Sequence, residues 1–273
     1  FFSLKCRMPR IMVDSLQAIH PLVMLSGIVI VVILLEVIHS KNWLSNLRPL
    51  SEYPRRTASS TLTSHPKGWN LRSFPRNDSG RRYVVVDCGA NRGDVARILG
   101  GKLQAIVPDN HWTYSFEPNL YYASFFNNLH RHTHVPKACW IADGSHEYYV
   151  ATCARGNLKS GTLLKEKALA CKLKNKTKVV PTIDVSNWML QNLKPTDFVL
   201  FRLNVEGAEY DVVTRMHATG TLKLVDRVSI EYHSQWMSNR DKSDDEQLNA
   251  VLAEHGLMVQ SFLSHDDTLL IRT

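Results

Sequence analysis

Three things are missing from this chain of 273 residues: a long tract of single-sign charge, a short internal period, and a basic stripe interleaved with aromatic residues. The first two absences exclude a disordered acidic or basic tail protein, a collagen and a solenoid of obvious period. The third leaves no stacking platform for nucleic acid, so none is expected as a partner: the net charge is +8, but the basic residues are scattered. What is present is a globular composition. Hydrophobic residues make up 44% and charged residues 21%, enough to bury a core, and the length suits one ordinary domain with an appendage.

The appendage is N-terminal. Residues 21–38 read PLVMLSGIVIVVILLEVI, uncharged up to Glu36, and such a helix just crosses a hydrocarbon core of about 30 Å. A buried core helix and the apolar part of a signal peptide share this composition. No A-x-A cleavage pattern follows, however, and Trp43 supplies an interfacial aromatic, so an uncleaved transmembrane signal anchor is expected, preceded by a flank of residues 1–20. Lys5, Arg7 and Arg10 before it and Lys41, Arg48, Arg55 and Arg56 after it leave the orientation open. Residues 39–80, rich in Ser, Thr, Pro and Arg, read as a flexible stem. Cys88, Cys139, Cys153 and Cys171 lie beyond the anchor, either paired in an oxidising lumen or as buried thiols. With the sequons Asn77-Asp78-Ser79 and Asn175-Lys176-Thr177 they favour a single-pass protein of the Golgi or endoplasmic reticulum whose domain, residues 81–273, is lumenal.

That domain opens with Tyr83-Val84-Val85-Val86, a continuous apolar run that predicts a strand buried on both faces, hence a parallel sheet in an α/β fold. Asp87-Cys88-Gly89-Ala90-Asn91-Arg92-Gly93 follows as its loop, and Val95, Ile98 and Leu99 give the next segment an apolar helical face. Gly89 and Gly93 let the backbone turn tightly and approach a ligand. Strand, glycine loop and helix form one half of a nucleotide-binding unit. Asp87 would repel a pyrophosphate at the helix N-terminus, which disfavours NAD and ATP and favours a cationic or zwitterionic sulfonium-amino-acid cofactor.

A second strand, His111 to Phe116, ends in Glu117-Pro118-Asn119. An acid there takes the two ribose hydroxyls of a nucleoside as donors, and Asn119 is placed to cap a helix running through Tyr122, Phe125, Phe126 and Leu129. Phe198 to Phe201 is a further buried strand leading to Asn204, Glu206 and Gly207, and Val225 to Ile230 is another, ending in Glu231-Tyr232-His233. Ligands of an open parallel sheet sit beyond the carboxyl ends of its strands. Asp87, Glu117, Asp143, Asn204 and Glu206 all belong to such ends, which argues for a single site. His233 is a candidate base for an acceptor hydroxyl, or else a structural histidine. His130, His132 and His134 have no carboxylate or cysteine at ligand spacing, so no metal site is expected from them.

Taken in order, VVVDCGANRGDVARIL, YSFEPNLYYASFFNNL, the acid-glycine turn Asp143-Gly144, Ser160-Gly161-Thr162, Pro181-Thr182-Ile183-Asp184 and Arg202 to Glu209, RLNVEGAE, resemble the motifs of the FkbM family of class I S-adenosylmethionine-dependent methyltransferases, over about Tyr83 to Glu231. The resemblance implies a Rossmann-like, doubly wound, mostly parallel seven-stranded sheet with an antiparallel C-terminal hairpin at residues 257–263 and 268–271. It implies S-adenosyl-L-methionine as cofactor, admitted by Gly89, Ala90 and Gly93. Asp87 and Asn91 would hold the amino-acid end, Glu117 and the adjoining Pro118 the ribose, and Asp143 the adenine amine. It further implies methylation of a hydroxyl on a small molecule or glycan, with His233, Glu206 and Asn204 as catalytic candidates. One departure stands out: Arg202-Leu203-Asn204 replaces the family's Lys-Ile-Asp, putting an amide where a carboxylate is usual. An amide is no general base near neutral pH; Glu206 and Glu209 remain, either able to supply a carboxylate at the mouth of the site, and the departure keeps open a second reading, a membrane-tethered binding or scaffold protein on an inactive methyltransferase fold. A nicotinamide oxidoreductase fits less well, since GxGxxG is incomplete.

Overall fold

The computed structural model describes residues 80–150, 161–171 and 177–260, all within the unit Pro49–Thr273. The anchor segment 21–38, residues 39–79 of the stem, Cys6, Cys153 and the asparagines of both sequons lie outside the described residues, among which no helix is long and apolar enough to cross a membrane.

The main sheet has five parallel strands in the order β3-β2-β1-β8-β9: β1 (Tyr83–Cys88), β2 (His111–Phe116), β3 (His132–Val135), β8 (Phe198–Leu203) and β9 (Arg227–Ile230). The apolar runs form its centre because both faces are covered. Tyr83 and Val85 pack with Val95, Leu99 and Leu103 of α1 (Asp94–Ile106). Val84, Val86 and Cys88 face the other way, onto residues of α3 (Val185–Asn192), α4 (Glu209–Ala218) and α5 (Lys242–Glu254). Alternation along a strand thus supplies two cores from one unbroken hydrophobic run.

A second, four-stranded sheet has the order β4-β7-β5-β6, from β4 (Ala138–Trp140), β5 (Gly144–Val150), β6 (Gly161–Thr162) and β7 (Thr177–Asp184), with α2 (Lys165–Ala170) after β6. β5 is antiparallel to both its neighbours. This corrects the expectation of one seven-stranded sheet. The third strand ends at Val135 because Pro136 has no N–H to continue the ladder, and a tight turn, Lys137 N–H to Val135 O at 2.8 Å, sends the chain into β4. At the C-terminal end, the described residues show one isolated parallel bridge, Val228 to Val259; residues 261–273, which hold most of the expected hairpin, lie outside the described range. The expected helix after Asn119 is a 3-10 helix, Leu120–Phe126, capped as anticipated by the Asn119 side chain.

Cys88, the last residue of β1, is disulfide-bonded to Cys139 of β4, so a covalent link joins the two sheets directly under the glycine turn. Cys171 is a free thiol.

Candidate functional site

Register places the strand ends in one row. Phe116, Cys88, Leu203 and Ile230 are successive partners across β2, β1, β8 and β9. The residues that follow them, Glu117, Gly89, Asn204 and Glu231, therefore stand side by side at the carboxyl edge. All four line a cleft of about 290 Å³, together with Ala90, Asn91, Asp94, Pro118, Tyr122, Cys139, Tyr148, Arg202 and Glu206. Gly89 cannot be replaced here: its φ is +81°, and a Cβ would lie 1.8 Å from the carbonyl oxygen of Asn204. The cleft carries four carboxylates against one arginine, a balance that rejects a pyrophosphate and suits a cationic or zwitterionic ligand.

Glu117 is 4% exposed and rigidly held. Its two oxygens accept the backbone N–H of Asn91 at 2.9 Å and of Asn119 at 2.8 Å. Asn91 reaches it from a left-handed conformation, φ 49°, that asparagine tolerates. Burial pushes the Glu117 carboxyl up most strongly, the two N–H groups pull it back and Asp87 adds to the rise, leaving it at about 7. Two fixed lone-pair edges on a carboxylate at a cleft wall match a vicinal diol.

Asp87 does not line the cleft. It is fully buried and sits opposite Arg202 in the β1–β8 register, accepting from its Nη1 at 2.9 Å, while the same nitrogen reaches Gly89 O at 3.2 Å. Burial raises the Asp87 carboxyl and the Arg202 charge opposes that. Asp87, expected at the amino-acid end of the cofactor, lies in a buried ion pair that braces the glycine turn. Gly93 is the left-handed N-cap of α1 and shapes the loop from outside the cleft lining, with Phe126 where a Cβ would be. Asp143 lies in the exposed turn between β4 and β5, also off the lining.

A second cavity of about 280 Å³ adjoins the first, sharing Glu206 and Gly161, and is lined as well by Thr162, Lys167, Cys171, His233 and Trp236. Glu209 organises it. Fully buried at the start of α4, its carboxylate accepts the N–H of Val205 and of Gly207, each at 2.8 Å, and Nδ1 of His233 at 2.9 Å. A carboxylate only accepts, so Nδ1 carries the proton and a neutral His233 keeps its lone pair on Nε2. That atom lies 3.5 Å from Oε2 of Glu206, which is also ion-paired to the buried Lys167. Burial disfavours the imidazolium most, but the hydrogen bond and charge of Glu209, aided by Glu206, outweigh it and Lys167, so His233 lies above its ordinary value. Glu206 holds φ at 58°, a strained conformation for this residue.

The structure therefore brings together Gly89, Ala90, Asn91, Glu117, Pro118, Asn204 and Glu206 at the first cavity, and His233 with Glu206 at the second. Arg202, Lys167 and Glu231 gain places that the sequence did not assign; for Arg202 and Glu231 the signal was position, beside or at a strand end. His134 Nε2 donates to the Glu117 carbonyl, 3.1 Å away, and its ring stacks on Phe126 with centroids 4.2 Å apart, so it serves packing around the Glu117 loop.

Comparison with curated proteins finds no match, and comparison with solved structures finds none. The family model described as the Methyltransferase FkbM domain matches residues 87–258. That span begins at the buried ion pair under the glycine turn, takes in Glu117, Glu206, Glu209 and His233, and covers most of the chain: this protein belongs to the FkbM methyltransferase family.

Proposed function

We propose that this methyltransferase uses S-adenosyl-L-methionine to methylate a hydroxyl of a glycan or other small hydroxylated acceptor. The observation that carries the cofactor is Glu117, buried, anchored through both oxygens and set at the end of β2 in an acid-rich cleft. The residues present fit that group: Glu117 would take the ribose hydroxyls, and Gly89, Ala90 and Asn91 would line its path. When bound, S-adenosyl-L-methionine supplies an electrophilic methyl on a sulfonium. The chain's own task is to hold the acceptor oxygen in line and remove its proton. His233 suits the second task, with Nε2 the proton acceptor in the adjoining cavity and Glu209 fixing its tautomer. Residues 21–38 would tether the protein to a Golgi or endoplasmic reticulum membrane, and the Cys88–Cys139 disulfide supports a domain in the oxidising lumen.

His233→Gln is expected to lower methyl transfer on the order of a hundredfold while leaving cofactor affinity in place. In the wild type the rate should fall as pH drops through the His233 pKa, because only the neutral ring accepts a proton; that limb is shifted upward from the ordinary histidine value. The test is transfer of a tritiated methyl from S-adenosylmethionine by the full chain to a panel of glycosides and simple alcohols, across pH. Labelled ether product supports the reading. Cofactor bound without transfer to any acceptor favours the second reading, a non-catalytic binding protein, which rests on the amide of Asn204 where the family's motif carries a carboxylate.

A further inference from the structure

The acids around the two cavities differ in what balances them. Asp87 has Arg202, Asp94 has Arg97, Glu206 has Lys167, and Glu117 and Glu209 each hold two backbone N–H groups. Glu231 is the exception. It lines the cleft with no cation paired to it among the described residues, and its side-chain contact is Nδ2 of Asn204, which donates to Oε2 at 2.5 Å. Asn204 is in turn half satisfied. Its Nδ2 is directed at Glu231, so Oδ1 is fixed as the acceptor, and that oxygen is buried with no partner among the described residues. A buried acceptor without a donor is uncommon and calls for an explanation.

We infer that Asn204 and Glu231 together form the subsite for the α-ammonium of the cofactor's amino-acid end. An ammonium carries one positive charge and three N–H donors, so a single group neutralises Glu231 and fills Asn204 Oδ1. Position agrees. Glu117, Gly89, Asn204 and Glu231 succeed one another along one register row, so Glu117 and Glu231 stand three strand spacings apart, roughly 14 Å between backbones. A nucleoside held at Glu117 must run its tail over the glycine turn, which has no side chain to obstruct it, toward Asn204. The main chain fixes the far wall, with Glu231 N–H donating to Leu203 O at 3.0 Å. On this assignment the amide at position 204 orients the Glu231 carboxylate beside it and accepts a second N–H.

The inference rests on the cofactor reading, and a pair of probes separates the two. S-adenosylhomocysteine and 5′-methylthioadenosine share the thioether nucleoside, but only the first has the amino-acid tail. Calorimetric titration of both into the full chain and into Glu231→Gln is the experiment. The variant keeps shape and is expected to keep its melting temperature, since Glu231 is exposed at the cleft rim. S-adenosylhomocysteine affinity should drop roughly tenfold to a hundredfold, with 5′-methylthioadenosine unchanged within about twofold, the spread expected of a neutral surface change. Equal loss for both probes, or no loss for either, overturns the ammonium subsite and leaves the cofactor reading standing. No binding of either probe by the folded wild type overturns both.

Discussion

Arg202→Met is expected to destabilise the domain by about 3–5 kcal/mol, the range for removing one partner of a buried ion pair. Asp87 is fully buried, Arg202 nearly so, and the other oxygen of Asp87, Oδ2, has no hydrogen-bond partner among the described residues. The guanidinium is therefore the charge that makes an ionised Asp87 tolerable. The pH dependence has a definite sign. Burial already raises the Asp87 carboxyl in the folded state despite Arg202, and losing Arg202 raises it further. A group raised on folding contributes stability that is present at low pH and lost as pH climbs through its folded value. The deficit of Arg202→Met should thus shrink in acid and grow toward neutral pH. The double variant Asp87→Asn, Arg202→Met buries no charge and should recover part of the loss. Urea unfolding of the wild type and the two variants at two pH values measures this, and a double variant no more stable than Arg202→Met would count against it.

Reduction of the Cys88–Cys139 bond is the other large expected effect. The bridge closes a segment of 51 residues, for which the chain-entropy estimate is about 4 kcal/mol. It also ties the glycine turn to β4, whose Cys139 and Ala138 form part of the cleft wall. Treatment with dithiothreitol should lower the melting temperature and weaken cofactor binding together, whereas Cys171, a free thiol, makes no such link. Alkylation with peptide mapping before and after reduction checks the pairing. Free thiols at Cys88 and Cys139 in the untreated protein, or an unchanged melt after reduction, would contradict it.

Much of the site was legible because it depends on local pattern. A Tyr-Val-Val-Val run followed by an acid and two glycines predicts a strand and its ligand loop without tertiary information, and Glu117 and Asn204 follow strands that the same reasoning finds. What was not legible depends on register and on long-range pairing. The ion pair of Asp87 emerges only when β8 is set beside β1 and Arg202 falls opposite it. Glu209 reads as a carboxylate for the mouth of the site; its hydrogen bond to His233 comes from a residue brought to it across the sheet. The second sheet escaped notice for a related reason: β4 and β7 pair through Ala138 and Thr182, far apart in the chain, and nothing in either segment names its partner. Pro136 was the available local signal that the third strand stops early.

Glu117 is proposed to bind the ribose of S-adenosylmethionine. That contact is tested most directly by calorimetric titration of S-adenosylhomocysteine into the full chain and into Glu117→Gln, at pH 8 and pH 6. With its carboxyl at about 7, Glu117 is an acceptor at the higher pH and substantially protonated at the lower. The wild type should bind at pH 8 and several-fold more weakly at pH 6, while Glu117→Gln should bind roughly tenfold to a hundredfold more weakly at pH 8 and show little change between the two. A folded wild type that binds nothing, or a variant that binds as the wild type does at both pH values, would contradict the account.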